Sequence, residues 1–278
     1  MSILSVRNLS FRYQQATVPA LRDISFEVES GTVTAIVGAN GAGKSTLGYA
    51  LAGYIPHFFK GEMQGTVRVN NADTRQTPLA SLVTQVGLVF QNPFNQISGA
   101  KLTVAEEVAF GLENLGVPRE EMTMRVQRAL ELFGLDQVAN QSPFALSGGQ
   151  QQRLALASIF VMEPPVMVLD EPTAQLDPVG TREVMESIVA LAQRGQTIVF
   201  MEHKLEWVAR LASRVLVLDQ GALVAIGEPR QLLARADEWG LNETRYARAA
   251  RLAKARGLIA KDALLPQTLE QAREILDL

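Results

Sequence analysis

A chain of 278 residues with 47% hydrophobic and 20% charged residues has the make-up of a folded globular protein with a sizeable core. A formal net charge of −3 argues against a general nucleic-acid binder, because phosphate backbones demand basic surfaces, and the absence of cysteine excludes disulfides and thiolate metal sites. The densest apolar stretches, such as 154–162, are far shorter than the roughly 20 residues needed to span a bilayer, and no basic-plus-apolar leader is read at the start. The expectation is a cytoplasmic protein unless a partner holds it at a membrane.

In chain order, 3–11 and 24–28 alternate apolar and polar residues, which predicts two antiparallel strands with one wet face. Tyr13 lies between them; an aromatic ahead of a phosphate loop can stack on a nucleotide base, although a strand-end aromatic is more often core. A β-prone run at 32–37 leads into Gly38-Ala39-Asn40-Gly41-Ala42-Gly43-Lys44-Ser45-Thr46, which fits G-x-x-x-x-G-K-[ST]. The glycines let successive backbone N–H groups converge on an anion, and Lys44 supplies a point charge for outer phosphates. Ser45 offers a hydroxyl to Mg²⁺, and Thr46 continues into a helix over 47–52 whose N-terminus favours negative charge. This is a phosphate-binding loop.

Beyond it, His57 stands in a turn-rich segment with no second metal-ligating cluster, so it reads as a loop histidine without a catalytic role. A short strand follows at 66–69, and the apolar run 86–90 predicts a buried strand ending at Gln91, where α/β sheets present functional groups. Residues 104–146 read as a helical block, in which a helix begins after Pro118, carries Met122, Val126, Leu130 and Phe133 on one face, and closes at Gly134. Leu146-Ser147-Gly148-Gly149-Gln150 precedes a helix over 151–162. Ser147 can cap that helix and the glycines expose its first amides, giving either a second anion site or simply a capped helix.

The apolar strand 166–169 ends in Asp170-Glu171-Pro172. Two acids there sit at the carboxyl edge of a parallel sheet, Asp170 suited to Mg²⁺ and Glu171 to polarising an attacking water. Asp177 precedes a helix over 181–193, and strand 196–201 ends in Glu202-His203-Lys204, where His203 can contact a phosphate or serve structurally. Asp219-Gln220-Gly221 marks a hairpin between 215–218 and 223–226. The remainder alternates helical runs, with Arg245, Arg248, Arg251 and Lys254 forming a basic stripe, read as a solvated face or an anionic-partner face. Altogether the pattern predicts an α/β fold: a mixed, mostly parallel sheet with an N-terminal antiparallel β-subdomain and an inserted helical subdomain.

The order Tyr13, phosphate loop, Gln91, Leu-Ser-Gly-Gly-Gln, Asp170-Glu171, Leu176-Asp177, His203 resembles the ATP-binding-cassette (ABC) ATPases over about residues 1–230, and the signature pentapeptide is specific to that family. The resemblance implies a P-loop NTPase core over 1–230, its helical subdomain at about 92–162, and a short helical extension over 231–278. It implies that Tyr13 stacks on adenine, that Gly38 to Thr46 hold ATP phosphates, and that Ser45 and Gln91 bind Mg²⁺ with Asp170 reaching it through water. Glu171 would be the general base, and His203 would contact the γ-phosphate and the attacking water. Ser147, Gly148, Gly149 and Gln150 would reach the γ-phosphate in the opposite subunit, with Asp177 beside that interface. One phosphate loop and one signature per chain mean that two chains close two ATP sites.

Residues 55–61, 89–97 and 104–111 further resemble the energy-coupling-factor (ECF) transporter ATPases. That implies ATP-driven import of a vitamin or transition-metal ion, a second ATPase chain, a transmembrane scaffold, a separate substrate-binding membrane subunit, no nucleic acid, and a peripheral position on the cytoplasmic membrane face. Glu202, where the family more often has Thr, and Gln175, where a small residue is commoner, lie near the ATP interface and leave open an identical or a sister partner. The alternatives are a subunit of another ABC exporter or importer, or a soluble ABC ATPase acting on nucleic acid or ribosomes.

Overall fold

The computed structural model describes residues 1–260 and 262–276. Its strands are β1 (Ser2–Tyr13), β2 (Leu21–Glu29), β3 (Val33–Val37), β4 (Gly61–Val69), β5 (Ala72–Asp73), β6 (Val86–Val89), β7 (Val166–Asp170), β8 (Thr197–Met201), β9 (Arg214–Asp219) and β10 (Ala222–Gly227). The helices are α1 (Lys44–Leu51), α2 (Tyr54–His57), α3 (Leu79–Leu82), α4 (Val104–Asn114), α5 (Arg119–Leu132), α6 (Gly148–Phe160), α7 (Pro178–Gln193), α8 (Leu205–Leu211), α9 (Pro229–Leu233), α10 (Arg245–Ala255) and α11 (Leu269–Leu276). Among the described residues the strands form one sheet in the order β5-β4-β1-β2-β10-β9-β3-β8-β7-β6.

The run β9–β3–β8–β7–β6 is parallel throughout, while β4–β1–β2 and the β9–β10 hairpin are antiparallel. Both faces of the parallel part are covered, which explains its unbroken apolar strands. In β7, Met167 and Leu169 enter one core while Val166 and Val168 enter the other; in β8, Ile198 and Phe200 oppose Val199 and Met201 in the same way. The first core joins the sheet to α4–α8, and the second joins it to α1 and the antiparallel strands.

β1 carries a phase slip. Leu4 and Val6 are buried, then Leu9 and Phe11, and the pairing with β2 shifts between Val6 and Leu9 around Asn8 at φ 47°. That extra residue is a bulge, tolerated because Asn adopts the left-handed region more readily than most residues. The strand also runs on to Tyr13 rather than stopping at Phe11, and β4 begins at Gly61 rather than Thr66, because the two pair as far as Tyr13 with Gly61. The helices after the phosphate loop and after the signature start three residues earlier than their apolar periodicity indicates, at Lys44 and Gly148. Their first turns are polar and carry no apolar periodicity.

The hairpin between β9 and β10 turns through Gln220 and Gly221, both at positive φ, as a tight turn matched to strand twist requires. The basic stripe is not a bare charged face. Arg245 pairs with Glu206 at 3.5 Å, and Arg251 pairs with both Glu243 and Asp237, so carboxylates from outside α10 neutralise these two. No helix among the described residues is long and apolar enough to cross a membrane.

Candidate functional site

Four neighbouring parallel strands end at one edge of the sheet in matched register: Ile36 and Asp170 both pair with Met201, and Val89 pairs with Leu169. The residues immediately after these ends are therefore delivered to one place. They are Gly38 after β3, Gln91 after β6, Glu171 after β7, and Glu202 and His203 after β8. A cleft of about 600 Å³ lies there, lined by Asn40, Gly41, Gly43, Lys44, Ser45, Thr46, Gln91, Glu171, Glu202 and His203 together with Ala20, Ala174 and Lys204.

The loop from Gly38 to Gly43 joins β3 to the N-terminus of α1. Gly43 caps that helix at φ 101°, and a Cβ there would lie 2.7 Å from the Ala20 carbonyl oxygen, so only glycine fits. Ala39 contributes a carbonyl, and Ala42 is buried against the second core. Lys44 is 5% exposed, and its Nζ donates to the Gly38 and Ala39 carbonyls at 3.1 and 3.2 Å and lies 3.4 Å from Glu171 Oε1. The ammonium is thus held inside the curve of its own loop.

Glu171 is the hub of the cleft. Its Oε1 accepts from His203 Nε2 at 2.7 Å and its Oε2 accepts from Gln91 Nε2 at 3.0 Å. Its backbone adopts φ 46°, a conformation that costs an ordinary side chain on the order of 1 kcal/mol and that persists only when the surroundings enforce it. Next to it, Asp170 Oδ1 accepts from the Ser45 hydroxyl at 2.9 Å. Burial pushes the Asp170 carboxyl up to about 6; the neighbouring Glu171 charge adds to this, while the Ser45 hydrogen bond and the Lys44 ammonium oppose it.

A carboxyl raised in the fold is penalised when ionised, so that cost is present above about pH 6 and disappears as pH falls through 6 towards the ordinary 3.8. Replacing Asp170 with Asn should therefore stabilise the ligand-free protein at pH 8 by roughly 2–3 kcal/mol and leave it unchanged near pH 4. Thermal melts of the two proteins across that range check the sign.

Tyr13 stands apart from the cleft floor. Its hydroxyl is 3.1 Å from Thr46 Oγ1, and its ring meets Phe11 and Phe59 edge-on with centroids at 4.8 and 6.4 Å. One face of the chain's phosphate loop thus ends in an aromatic ring. His57 lies elsewhere, hydrogen-bonded to the Thr74 carbonyl at 2.8 Å.

Ser147, Gly148, Gly149 and Gln150 do not line the cleft. Ser147 caps α6 in a reciprocal box: its hydroxyl accepts from the Gln150 amide at 3.3 Å, and Gln150 Oε1 accepts from the Ser147 amide at 2.9 Å. Gly149 and Gly180 let α6 and α7 approach closely, since a Cβ on Gly149 would lie 3.1 Å from Gly180 Cα. Asp177 caps α7, accepting from the Gly180 amide at 2.7 Å. The signature and Asp177 therefore sit on one packed pair of helix N-termini, outside the chain's own cleft.

Sequence reasoning did not single out Thr173 or Lys204. Thr173 is fully buried; its hydroxyl donates to Glu202, and its oxygens accept from Lys204 Nζ. The available signal was Glu202 itself, a carboxylate at the end of a buried strand that demands partners.

A profile of the ABC transporter family matches residues 21–174. The chain is 46% identical over 234 residues to a putative ABC transporter ATP-binding protein of Pyrococcus abyssi, covering 84% of this chain and 82% of that one. It is 41% identical over 238 residues to the energy-coupling factor transporter ATP-binding protein EcfA1 of Streptococcus thermophilus, covering 85% and 83%. Among solved structures it is similar to CbiO1 of Clostridium perfringens, part of the ABC transporter complex CbiONQ, with a TM-score of 0.74 and 32% identity over 91% of this chain and 99% of that one. A dimeric ATP-binding cassette in a post-hydrolysis state with ADP and Pi matches at a TM-score of 0.69 and 28% identity over 82% and 99%. The chain belongs to the ABC transporter family, as one of its ATP-hydrolysing cassettes.

Proposed function

We propose that this chain is the ATP-hydrolysing subunit of an ECF-type importer of a vitamin or transition-metal ion, acting as a dimer on the cytoplasmic face of the membrane. In this reading residues 1–230 are the cassette, with the helical subdomain at about 92–162, and 231–278 are an extension. The observation that carries the two-chain site is the separation of the signature cap, Ser147 to Gln150, from the cleft holding Lys44 and Glu171. A second cassette brings its own Ser147–Gln150 to the γ-phosphate, with Asp177 beside the contact. That partner is an identical chain or a sister ATPase.

Within the cleft, the loop from Gly38 to Thr46 and Lys44 hold the phosphates, and Tyr13 stacks on the base. Glu171 takes the proton of the attacking water, while His203 and Gln91, each bonded to it, fix where its two oxygens point. The donor set beside it, Ser45 Oγ with Asp170 Oδ1 and the amide oxygen of Gln91, is entirely oxygen, which suits Mg²⁺ and no softer metal. Mg²⁺ held there would neutralise charge on the β- and γ-phosphates.

The ECF reading is supported by the likeness to EcfA1 and to CbiO1, and by exposed apolar side chains in the chain from Gln91 through the helical block. Phe94, Leu102 and Phe144 are 56%, 83% and 56% exposed at the edge of the helical block, where coupling helices of a scaffold subunit would dock. Affinity purification of the tagged chain from solubilised native membranes, read by mass spectrometry, tests it. Two dissimilar integral membrane proteins are expected to co-purify; a membrane pair with neither a separate substrate-binding subunit nor a second ATPase would favour another ABC transporter.

Stacking by Tyr13 has its own check. Tyr13→Ala should weaken ATP binding about tenfold, the scale of one base–aromatic stack, and reduce discrimination between ATP and GTP. Tyr13→Phe should preserve both in the same fluorescence titration.

A further inference from the structure

The polar side chains behind the Glu171–His203 pair, with Glu202 and Thr173 buried and Lys204 half-buried, are joined end to end. Glu202 is 2% exposed at the end of β8 and receives two hydrogen bonds, one from the Thr173 hydroxyl and one from the His203 backbone amide at 3.1 Å. Thr173, two residues after Glu171, is fully buried. Its hydroxyl oxygen also accepts from Lys204 Nζ at 3.1 Å, and its carbonyl accepts from the same ammonium at 3.0 Å. Lys204 Nζ donates a third bond to Thr181 Oγ1 at 2.8 Å, in the first turn of α7. The chain of contacts thus runs from the end of β8, through the turn after β7, to the start of the helix that Asp177 caps.

Each link bears on a residue of the ATP site. The bond from the His203 amide to Glu202 fixes the backbone that carries the imidazole. The two bonds from Lys204 to Thr173 fix the turn that follows Glu171, whose left-handed backbone needs an external restraint. The bond to Thr181 ties that turn to the segment bearing Asp177. Glu202 is taken almost wholly out of water and Lys204 partly so, and buried charged groups of this kind are often replaceable by hydrophobic residues of similar volume without loss of stability. Its presence here fits a geometric task better than a stabilising one.

We propose that Glu202, Thr173 and Lys204 form a strap of positioning residues that holds Glu171 and His203 in hydrolytic register and links that pair to the Asp177 segment. The inference rests on Glu171 and His203 acting in the ATP site, as proposed above. It predicts that breaking the strap lowers turnover while leaving ground-state ATP binding in place, because none of the strap's hydrogen bonds goes to the phosphate loop or to Tyr13.

The test uses the full-length chain in the assembly that hydrolyses ATP, with Glu171→Gln as the control that assigns the measured turnover to this site; turnover surviving in that control is a failure of the underlying reading and not of the strap. Thr173→Val removes the bridging hydroxyl at nearly constant volume, and Thr173→Ser keeps it. Lys204→Met removes the ammonium from a half-buried side chain and spares the core. The strap predicts that Thr173→Val and Lys204→Met each lower kcat about tenfold or more, the cost of a small misplacement, with KM and ATP affinity within about twofold of the parent. It also predicts that Thr173→Ser restores turnover. A parental kcat in Lys204→Met, a Ser variant as slow as the Val variant, or a KM that rises in step with the fall in kcat would overturn it.

Discussion

Glu171→Gln is expected to abolish steady-state ATP hydrolysis, by about 10²–10⁴-fold, the range that loss of a positioned general base produces. The substitution is nearly isosteric, so Gln91, His203 and Lys44 keep a neighbour of the same shape, while the proton-accepting charge and one of the two acceptor oxygens are lost. Nucleotide binding should persist, because the phosphate loop is untouched. The ATP that binds is then not consumed, and the closed pair of cassettes should accumulate. Phosphate release measures the first effect, and gel filtration with light scattering in the presence of ATP measures the second. Normal turnover in this variant would remove Glu171 from the base role.

Lys44→Ala acts earlier in the cycle. The ammonium is almost completely buried, and its donors reach the Gly38 and Ala39 carbonyls across the loop it belongs to. Removing it deletes the side-chain cation held in the curve of the loop and leaves the backbone amides there to oppose the phosphate charge without it. With a charge-assisted hydrogen bond contributing about 1.5–3 kcal/mol, ATP affinity should fall by about ten- to a hundredfold. An ATP titration indistinguishable from the parent would show that Gly38 to Thr46 is not the phosphate cradle.

Much of this organisation was legible in the sequence because its causes are local. The spacing of Gly38, Gly43, Lys44 and Ser45 dictates a strand–loop–helix unit, and Ser147 with Gln150 three residues on dictates a capping box. The apolar run ahead of Asp170 correctly places that residue at a sheet edge. Long-range facts were not legible. That β3 lies between β8 and β9 follows from crossovers and not from neighbours in the chain. The partners of Glu202 are Thr173, 29 residues before it, and the His203 amide, so its burial invited a search but could not name the answer. The ion partners of the basic stripe were not legible for the same reason: Glu206, which pairs with Arg245, lies 39 residues earlier. Periodicity likewise set the starts of α1 and α6 too late, since polar first turns carry no apolar signal.

The claim on which the rest depends is that the cleft around Lys44 and Glu171 is half of an active site. The most direct measurement is specific ATPase activity against protein concentration, with light scattering at each point to report the oligomeric state. A site completed by another chain's Ser147–Gln150 predicts that activity per chain vanishes as the protein is diluted to monomer and returns only with dimer formed with itself or with a sister ATPase. A monomer that hydrolyses ATP at a rate independent of concentration would contradict it.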